Sequence, residues 1–232
     1  MKPTDKPTIS IIIPVLNEAK GIMGSIAHLR EIAGDTAMEI IVVDGDPGGS
    51  TINAIIDTTV RKLTSDQGRA RQMNCGAASA SGEILLFLHA DTLLPGNAFV
   101  LVLAALKDRR VVAGAFDLGI DSSRPVFRIT ETYVAVRTRL TRIPFGDQAI
   151  FIRRDHFEKI NGYQDLPLME DVELMKRIRK QGQRIAIIPE KVRTSPRRYE
   201  QEGVLSCTFR NLVLQLLYAL GVPPERLVKW YP

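Results

Sequence analysis

The 232-residue sequence has no long hydrophobic run and only two cysteines. A membrane-spanning helix needs about 20 consecutive apolar residues, and no window of this chain approaches that length. The cysteines, Cys75 and Cys207, lack the paired spacing of a zinc site or a disulfide framework, so we expect reduced structural thiols. The chain starts with polar residues, and its first apolar run, Ile9 to Val15, has no small-residue cleavage site. We therefore predict no signal peptide and a cytoplasmic protein.

A strong charge imbalance is also lacking, since the formal net charge is +5. The positive excess is uneven, because arginines concentrate between Arg124 and Arg154 and between Arg177 and Arg198. This distribution favours an anionic ligand or a phospholipid surface. We expect no nucleic-acid binding, because the sequence has no basic helix interleaved with aromatic residues and none of the standard motifs. With 45% apolar residues, the length favours one globular domain with a small appendage.

Short apolar runs alternate with helix-like segments through the first half of the chain. The runs Thr8 to Val15 and Glu39 to Asp44 have no polar alternation, which is typical of strands covered on both faces. Between them, Glu18 to Ile32 has apolar residues at helical spacing, with Asn17 as a candidate N-cap. The same pattern predicts strands at Val60 to Leu63, Glu83 to His89 and Val111 to Ile120, and helices at Gly68 to Ala80 and Asn97 to Lys107. The predicted fold class is α/β, a doubly wound sheet that binds ligands beyond the carboxyl ends of its strands.

The regular alternation ends after Ile120. The remaining predicted elements are a helix from Arg124 to Leu140, a strand from Gln148 to Ile152, a helix that begins at Glu170, a strand from Arg184 to Pro189, and an apolar helix from Asn211 to Val222. We divide the chain into a main domain, 1–200, and a C-terminal helical extension, 201–232.

The apolar helix from Asn211 to Val222 is too short to span a bilayer. One interpretation is that it packs on the domain or on a second subunit, and we favour this one because exposed apolar helices are usually interfaces. The other is a peripheral contact with an anionic membrane, at the inner face, helped by basic residues that precede the helix. These basic residues are Arg193, Arg197, Arg198 and Arg210.

Three polar clusters follow predicted strands at the sheet edge where ligands bind. Pro14 to Glu18 follows the first strand, Asp44 to Asp46 the second, and His89 to Asp91 the fourth. Each cluster alone is also ordinary loop chemistry, such as an N-cap or an Asx turn. The three together predict a nucleotide-sized site.

His89 and Asp91 are two residues apart, so on an extended chain both side chains point to the same side. A carboxylate there can hold Mg²⁺ or Mn²⁺, and the cation can neutralise the charge of a diphosphate leaving group. Asp91 is the better metal ligand, because hard cations prefer oxygen. His89 either ligates the metal, for which Mn²⁺ is more suitable than Mg²⁺, or hydrogen-bonds a ribose or water.

Glu170 and Asp171 open a predicted helix, where acidic residues are favoured by the helix dipole. On position alone we favour this structural role over that of a general base that removes a proton from a hydroxyl group. Gly146 to Gln148 is by pattern only a turn before a strand. Basic residues could bind phosphate, although for any one of them we favour a solvated surface position. These are Arg69, Arg71, Arg197 and Arg198.

The motifs SIIIPVLNEA, EIIVVDG, GRARQMNCGAASASGEILLFLHADT and MEDVEL, in this order, resemble those of a family 2 glycosyltransferase with the GT-A fold. The segments FLHADT, PFGDQAIFIRR and SPRRYEQEG…LGVPPERLVKWY are similar to a bacterial branch of that family, small enzymes mostly of unassigned substrate. The resemblance covers nearly the whole chain. It implies a mixed, mostly parallel sheet flanked by helices.

The resemblance also implies roles for individual residues. Asp171 matches the catalytic base of the Glu-Asp motif, with Glu170 beside it, which reverses the interpretation from position alone. Asp91 matches the metal position of the Asp-x-Asp motif, and His89 replaces the first carboxylate. The candidate residues for binding the nucleotide-sugar are Pro14, Asn17, Glu18, Asp44, Asp46, Arg69, Arg71, His89, Asp147, Gln148, Arg197 and Arg198.

We therefore expect an inverting glycosyltransferase with Mn²⁺ or Mg²⁺ as cofactor, a UDP- or GDP-sugar as donor and an acceptor that the sequence does not identify. Two alternatives stay open. A sugar-phosphate nucleotidyltransferase would need a glycine-rich loop after the first strand, and Pro14 to Glu18 contains no glycine. A non-enzymatic binding or membrane-surface module would have a degenerate metal site at His89. The sequence is also compatible with a homo-oligomer.

Overall fold

The computed structural model describes residues 7–231, without the side chain of Leu205. Within these residues one eight-stranded sheet has the order β3-β2-β1-β4-β7-β6-β8-β5. Its strands are β1 (Ile9–Val15), β2 (Met38–Asp44), β3 (Arg61–Thr64), β4 (Ile84–Phe87), β5 (Thr92–Leu93), β6 (Val111–Ile120), β7 (Phe151–Arg153) and β8 (Arg184–Thr194). Strands β1 to β4 are parallel, β7 runs antiparallel to β4 and β6, and β5 is antiparallel to β8. The expected mixed, mostly parallel sheet is confirmed.

Helices flank this sheet. They are α1 (Ile22–Ile32), α2 (Arg69–Ser79), α3 (Ala98–Ala105), α4 (Pro125–Thr141), α5 (Arg154–Lys159), α6 (Glu170–Lys180), α7 (Arg197–Glu202), α8 (Val204–Ala219) and α9 (Pro224–Leu227), with short 3₁₀ turns at Ile52–Ala54, Gly146–Gln148 and Val228–Trp230. Across residues 7–231 no helix combines the length and the hydropathy needed to cross a bilayer.

Successive side chains of the central strands pack on opposite faces of the sheet, so both faces are apolar. Ile11 and Ile13 of β1 lie in one core cluster with residues of α1, whereas Ile12 lies in a second cluster with residues of α2. Helix α2 approaches β1 closely at Gly76, where a Cβ atom would stand 2.5 Å from Ile12 Cγ2. The small residues of α2 therefore bring its N-terminus against the carboxyl ends of β1 and β2.

Several element boundaries differ from the sequence predictions. Helix α1 begins at Ile22, four residues late, because Asn17 adopts a left-handed conformation (φ 59°) and does not cap the helix. Gln148 lies in a 3₁₀ turn, and the strand begins only at Phe151. The C-terminal apolar helix α8 begins at Val204, seven residues before the predicted start. Local pattern does not fix these ends, because tertiary contacts set them.

The C-terminal segment packs on the main domain through a small apolar cluster. Leu214 of α8 and Leu227 of α9 contact Leu168, Met169 and Val172, which flank the start of α6. The division at residue 200 stays a prediction, and the predicted features of residues 1–6 and 232 lie outside the described residues.

Candidate functional site

Two adjoining cavities open at the carboxyl edge of the sheet. The strand-end cavity, of about 300 Å³, lies at the ends of β1 and β4. The helix cavity, of about 230 Å³, lies between α4, α8 and the start of α6. Arg69, His89 and Asp91 line both, so they form the boundary between the two spaces. The structure thus brings together residues that are far apart in the sequence.

The floor of the strand-end cavity is closed by Gln72 of α2. Its side-chain amide donates hydrogen bonds to the carbonyl oxygens of Val15 (2.7 Å) and Val43 (2.8 Å), at the carboxyl ends of β1 and β2. Sequence reasoning missed Gln72. Its signal was one large polar side chain among small residues on the buried face of α2.

Asp44 and Asp46 shape the loop after β2. The Asp44 carboxylate is fully buried and accepts hydrogen bonds from the backbone N–H groups of Asp46, Thr51 and Ile52. Asp46 accepts from Gly48 and Ser50. Neither residue lines the strand-end cavity. Asp44 therefore organises the loop beside the cavity, and a nucleotide contact by either residue stays a prediction.

His89 and Asp91 lie in a turn just past β4. The N–H of Thr92 donates to the carbonyl of His89 (3.1 Å), and the Ser25 hydroxyl donates to the carbonyl of Ala90 (2.6 Å), which fixes the turn on α1. His89 was predicted to belong to the strand, which ends instead at Phe87. Both side chains still face the same cavities, as expected.

The electrostatics of these two residues differ. Burial, and then the positive charge of Arg69, lower the pKa of His89 to about 3, so the imidazole is neutral at physiological pH. Burial, and then the nearby negative charge of Glu18, raise the pKa of Asp91. Glu18 itself pairs with Arg197 at 2.5 Å, at the rim.

Asp171 lies at the start of α6, and its carboxylate is held in place from two sides. Its Oδ2 accepts a 2.6 Å hydrogen bond from the backbone N–H of Gly146, and its Oδ1 accepts one from Val172. Asp171 lines the helix cavity together with Asp91.

Its neighbour Glu170 is buried and forms an ion pair of 3.0 Å with Arg69, and burial raises the pKa of Glu170.

Asp147 also lines the helix cavity, close to Arg137 of α4. Its Oδ1 atom is buried and has no hydrogen-bond partner among the described residues. Burial raises the pKa of Asp147 to about 6. The Arg137 guanidinium stacks on the Phe145 ring at 3.6 Å, and burial lowers its pKa. Sequence reasoning did not single out Arg137, because it is one of several arginines on α4.

Other predicted site residues lie elsewhere or are engaged by protein groups. Gln148 lines neither cavity: it is fully buried, its amide N–H donates to the carbonyl of Phe116, and its amide oxygen accepts from Arg137, Thr138 and Phe145. A nucleotide-sugar contact by Gln148 stays a prediction that these contacts do not support. Arg71 also lines neither cavity and pairs with Asp165 at 2.9 Å.

Pro14 and Glu18 line the strand-end cavity, whereas Asn17 is exposed and lines neither space. Arg198 lines the helix cavity, where its guanidinium stacks on Tyr231 and pairs with Glu202. The candidate nucleotide contacts thus divide into a group at the cavities and a group outside them.

The donor atoms of this site fit a divalent cation whose other ligands would be diphosphate oxygens. No three His, Cys, Asp or Glu side chains within residues 7–231 form a group that could hold a metal by themselves. Mg²⁺ in nucleotide sites is commonly held by one or two carboxylates plus phosphate oxygens. Asp91 supplies such a carboxylate beside Glu18, and a cation there would offset two neighbouring negative charges. The neutral His89 imidazole is a further donor that suits Mn²⁺.

Comparison with known proteins adds independent information. The model of the family "Glycosyl transferase family 2" matches residues 10–161, more than half of the chain. An uncharacterized glycosyltransferase of Mycobacterium tuberculosis is 28% identical over 123 residues, which are 51% of this chain and 47% of the relative. The probable glycosyltransferase YdaM of Bacillus subtilis is 24% identical over 212 residues, 79% of this chain and 49% of YdaM. The chain spans about half the length of these relatives.

Solved glycosyltransferases have the same fold. A mannosyltransferase from Pyrobaculum calidifontis, in complex with GDP-Man and Mn²⁺, has a TM-score of 0.64 and 22% identity, over 81% of this chain and 56% of the other. Glucosyl-3-phosphoglycerate synthase from Mycobacterium tuberculosis, in complex with Mn²⁺, UDP and glucosyl-3-phosphoglycerate, has a TM-score of 0.62 and 21% identity, over 94% of this chain and 81% of the other. At these identities the likeness establishes the fold.

Proposed function

The chain belongs to glycosyl transferase family 2, and from this premise we propose that it transfers a sugar from a nucleotide-diphosphate sugar to an acceptor hydroxyl with inversion at the anomeric carbon. One observation supports this proposal above the others. Asp91 and Asp171, 80 positions apart in the sequence, line a single cavity at the carboxyl edge of the sheet. This reaction needs two carboxylates. One holds the metal ion that binds the leaving group, and the other acts as the general base.

The strand-end cavity is the proposed donor site. Pro14 and Glu18 line it at the end of β1, and Arg69 lies where it meets the helix cavity. Asp91, with His89 as a second donor, would hold a Mn²⁺ or Mg²⁺ ion, which when bound neutralises negative charge on the diphosphate. The two solved relatives bind GDP-Man or UDP together with Mn²⁺, which supports a UDP- or GDP-sugar here.

The helix cavity is the proposed acceptor site. Asp171 removes the proton of the acceptor hydroxyl, whose oxygen forms a bond to the anomeric carbon while the bond to the diphosphate oxygen breaks. The hydrogen bond from Gly146 keeps the Asp171 carboxylate in one orientation for this transfer. Arg137 and Asp147 line the same wall and offer a donor and an acceptor for the other hydroxyl or charged groups of the acceptor. The protein contributes positioning and charge complementarity.

The test is donor turnover by the purified chain. Slow hydrolysis of a panel of UDP- and GDP-sugars is measured with Mn²⁺, and the productive donor is then used in transfer reactions with candidate acceptors. We expect Asp171→Asn to reduce turnover by about 10²–10⁴-fold, the usual contribution of a general base. Asp91→Ala should also abolish the dependence of donor turnover on Mn²⁺.

Asp35→Asn is the matched control, since Asp35 is exposed and outside both cavities. This variant should behave as the parent does. Turnover of the same donor by Asp171→Asn at the rate of the parent would contradict the assignment of the base. Release of pyrophosphate from a nucleoside triphosphate would instead support the nucleotidyltransferase alternative.

A further inference from the structure

Helices α4 and α8 each present an apolar stripe to solvent. On α4 the stripe is Ile129, Tyr133, Val136 and Leu140, with exposed fractions between 41% and 80%. On α8 it is Phe209, Leu212, Leu216 and, just past the helix end, Leu220, with fractions between 45% and 73%. The spacing of three or four residues places each set on one side of its helix. We call the two sets together the α4–α8 stripe.

The stripe lies away from the residues that each helix buries. Helix α4 buries Phe127 and Val134 against the sheet, and α8 buries Cys207 and Leu214. The favoured sequence interpretation, that the apolar helix packs on the domain, therefore accounts for only one face of α8. The other face stays in water, and contiguous exposed apolar surface of this kind usually marks an interaction site.

The stripe also adjoins the proposed acceptor cavity. Tyr133 and Leu212 are both exposed and both line the helix cavity. The two helices are joined beside it by a hydrogen bond of 3.3 Å from Arg137 to Gln215. Residues of both halves of the stripe thus border the helix cavity.

The charged residues of α4 and α8 that reach solvent have one sign. Glu131 is the only acidic residue in either helix, and it is buried and paired with Arg128 and Lys191. Arg139 pairs with the buried Asp117, so in these pairs the cation is exposed and the carboxylate is not. Arg124 and Arg142, at the two ends of α4, are exposed and have no ion pair among residues 7–231. The solvent side of these two helices is apolar and basic.

We propose that the α4–α8 stripe binds the surface of an anionic phospholipid membrane, with the helices lying in the interface and the cavity mouth facing the lipid. Apolar side chains flanked by arginines have the composition of interfacial helices, which combine apolar burial with attraction to anionic head groups. A second copy of the chain is a poorer partner, because a two-fold contact of this face would bring like charges together. The basic residues on which this proposal depends differ from those of the sequence interpretation. Arg197, Arg198 and Arg210, which the sequence interpretation used, are engaged in ion pairs with Glu18 or Glu202.

The proposal is tested by vesicle co-sedimentation of the full chain, with phosphatidylcholine vesicles compared with vesicles containing phosphatidylglycerol. We expect binding to the anionic vesicles, weakened by added salt. The double variant Ile129→Gln, Leu216→Gln should bind roughly tenfold more weakly, because it removes two exposed leucine-sized side chains from the contact. Ile56→Gln is the matched control, since Ile56 is 81% exposed and precedes β3, at the edge of the sheet far from α4.

A fluorescence measurement gives a second, site-specific readout. The chain has one tryptophan, so Trp230→Phe provides a background for a single reporter. Leu216→Trp in that background should shift its emission to shorter wavelength on anionic vesicles, and Ile56→Trp should not. Donor hydrolysis, which does not need the membrane, should be unchanged in all these variants, so a failure of the proposed chemistry can be distinguished from a failure of this proposal.

Three results would overturn the proposal. They are equal partition onto neutral and anionic vesicles, parental binding by the double variant, and an unshifted Leu216→Trp spectrum on anionic vesicles. Sedimentation of the parent as a dimer that the double variant converts to a monomer would assign the stripe to a second copy of the chain instead.

Discussion

The backbone N–H of Gly146 donates a 2.6 Å hydrogen bond to the Asp171 carboxylate, and this contact joins the turn before β7 to the start of α6. The same glycine lies against the turn after β4. A Cβ atom at position 146 would stand 3.0 Å from His89 Nε2 and 3.4 Å from Asp171 Oδ2. A proposed metal-site residue and the proposed base thus both lie close against one residue without a side chain.

Gly146→Ala should therefore impair turnover while the fold survives. The added methyl group displaces His89 or Asp171 by a few tenths of an ångström, and small displacements of reacting groups reduce rates strongly. We expect a loss of about tenfold or more in donor turnover, with little change in the midpoint of thermal unfolding. Gly96→Ala is the control, because nothing lies near its Cβ position. Full activity of Gly146→Ala would show that this contact does not position the base.

Asp91→Asn should separate metal binding from folding. The variant keeps the shape of the side chain but removes the negative charge that the proposed cation needs. In the parent, Mn²⁺ together with UDP or GDP should raise the thermal midpoint, because a ligand that binds only the native state stabilises it. We expect this metal-dependent increment to vanish in Asp91→Asn and to persist in Asp35→Asn. A retained increment would exclude Asp91 as the ligand.

Asp147 predicts a specific dependence of stability on pH. Burial raises its pKa to about 6, above the ordinary value near 4, so the folded protein binds a proton that the unfolded chain releases. Its contribution to stability is therefore present below about pH 4 and is lost as the pH rises through about 6. Asp147→Asn should be more stable than the parent at pH 8, by about 1–3 kcal/mol, and the difference should shrink at pH 4.

Urea unfolding at the two pH values, without added metal, measures the effect of Asp147→Asn. The Asp35→Asn variant, with its exposed carboxylate, should show no such pH-dependent gain. A variant that is less stable than the parent at both pH values would mean that the charged form of Asp147 is needed to hold the native turn.

The Arg69–Glu170 pair predicts a non-additive loss of stability. Glu170 is almost completely buried and Arg69 is its ion-pair partner. Arg69→Met leaves the buried carboxylate unpaired and should cost about 2–4 kcal/mol of unfolding free energy. In the double variant Arg69→Met, Glu170→Gln the loss should be smaller than in Arg69→Met alone, since no unpaired charge remains. Chemical denaturation measures these losses of unfolding free energy. If the losses of the single variants simply add up in the double variant, the two side chains are not coupled.

Much of the fold followed from pattern. The parallel strands β1 and β2 were predicted within one residue of their ends, because strands buried on both faces read as unbroken apolar runs. The alternation also predicted a helix from Gly68 to Ala80, which extends one residue beyond each end of the observed α2 (Arg69–Ser79). Helix α1 was less well predicted, because the left-handed conformation of Asn17 delays its start and has no periodic signal.

The site divides in the same way. The position of Asp91 and His89 at the cavities could be predicted, because a polar pair after a buried strand falls at the edge where such sheets bind ligands. Their roles stay predictions. Asp171 required the family resemblance, since acidic residues at a helix start have a common structural explanation. Gln148 was predicted to begin a strand but lies in a buried turn, because its hydrogen bonds to Phe116 and Thr138 are contacts across the chain that no local motif encodes.

The sequence by itself determined the fold class, the family and the strand-end clusters, since each depends on residue order within short segments. Only the tertiary structure decided which side chains meet. It brought Asp91 and Asp171 to the wall of one cavity, closed the strand ends with Gln72, and left the outward faces of α4 and α8 in water. The reason is physical: hydrophobic periodicity specifies which face of an element is buried, whereas the partner of a polar atom depends on how distant elements pack.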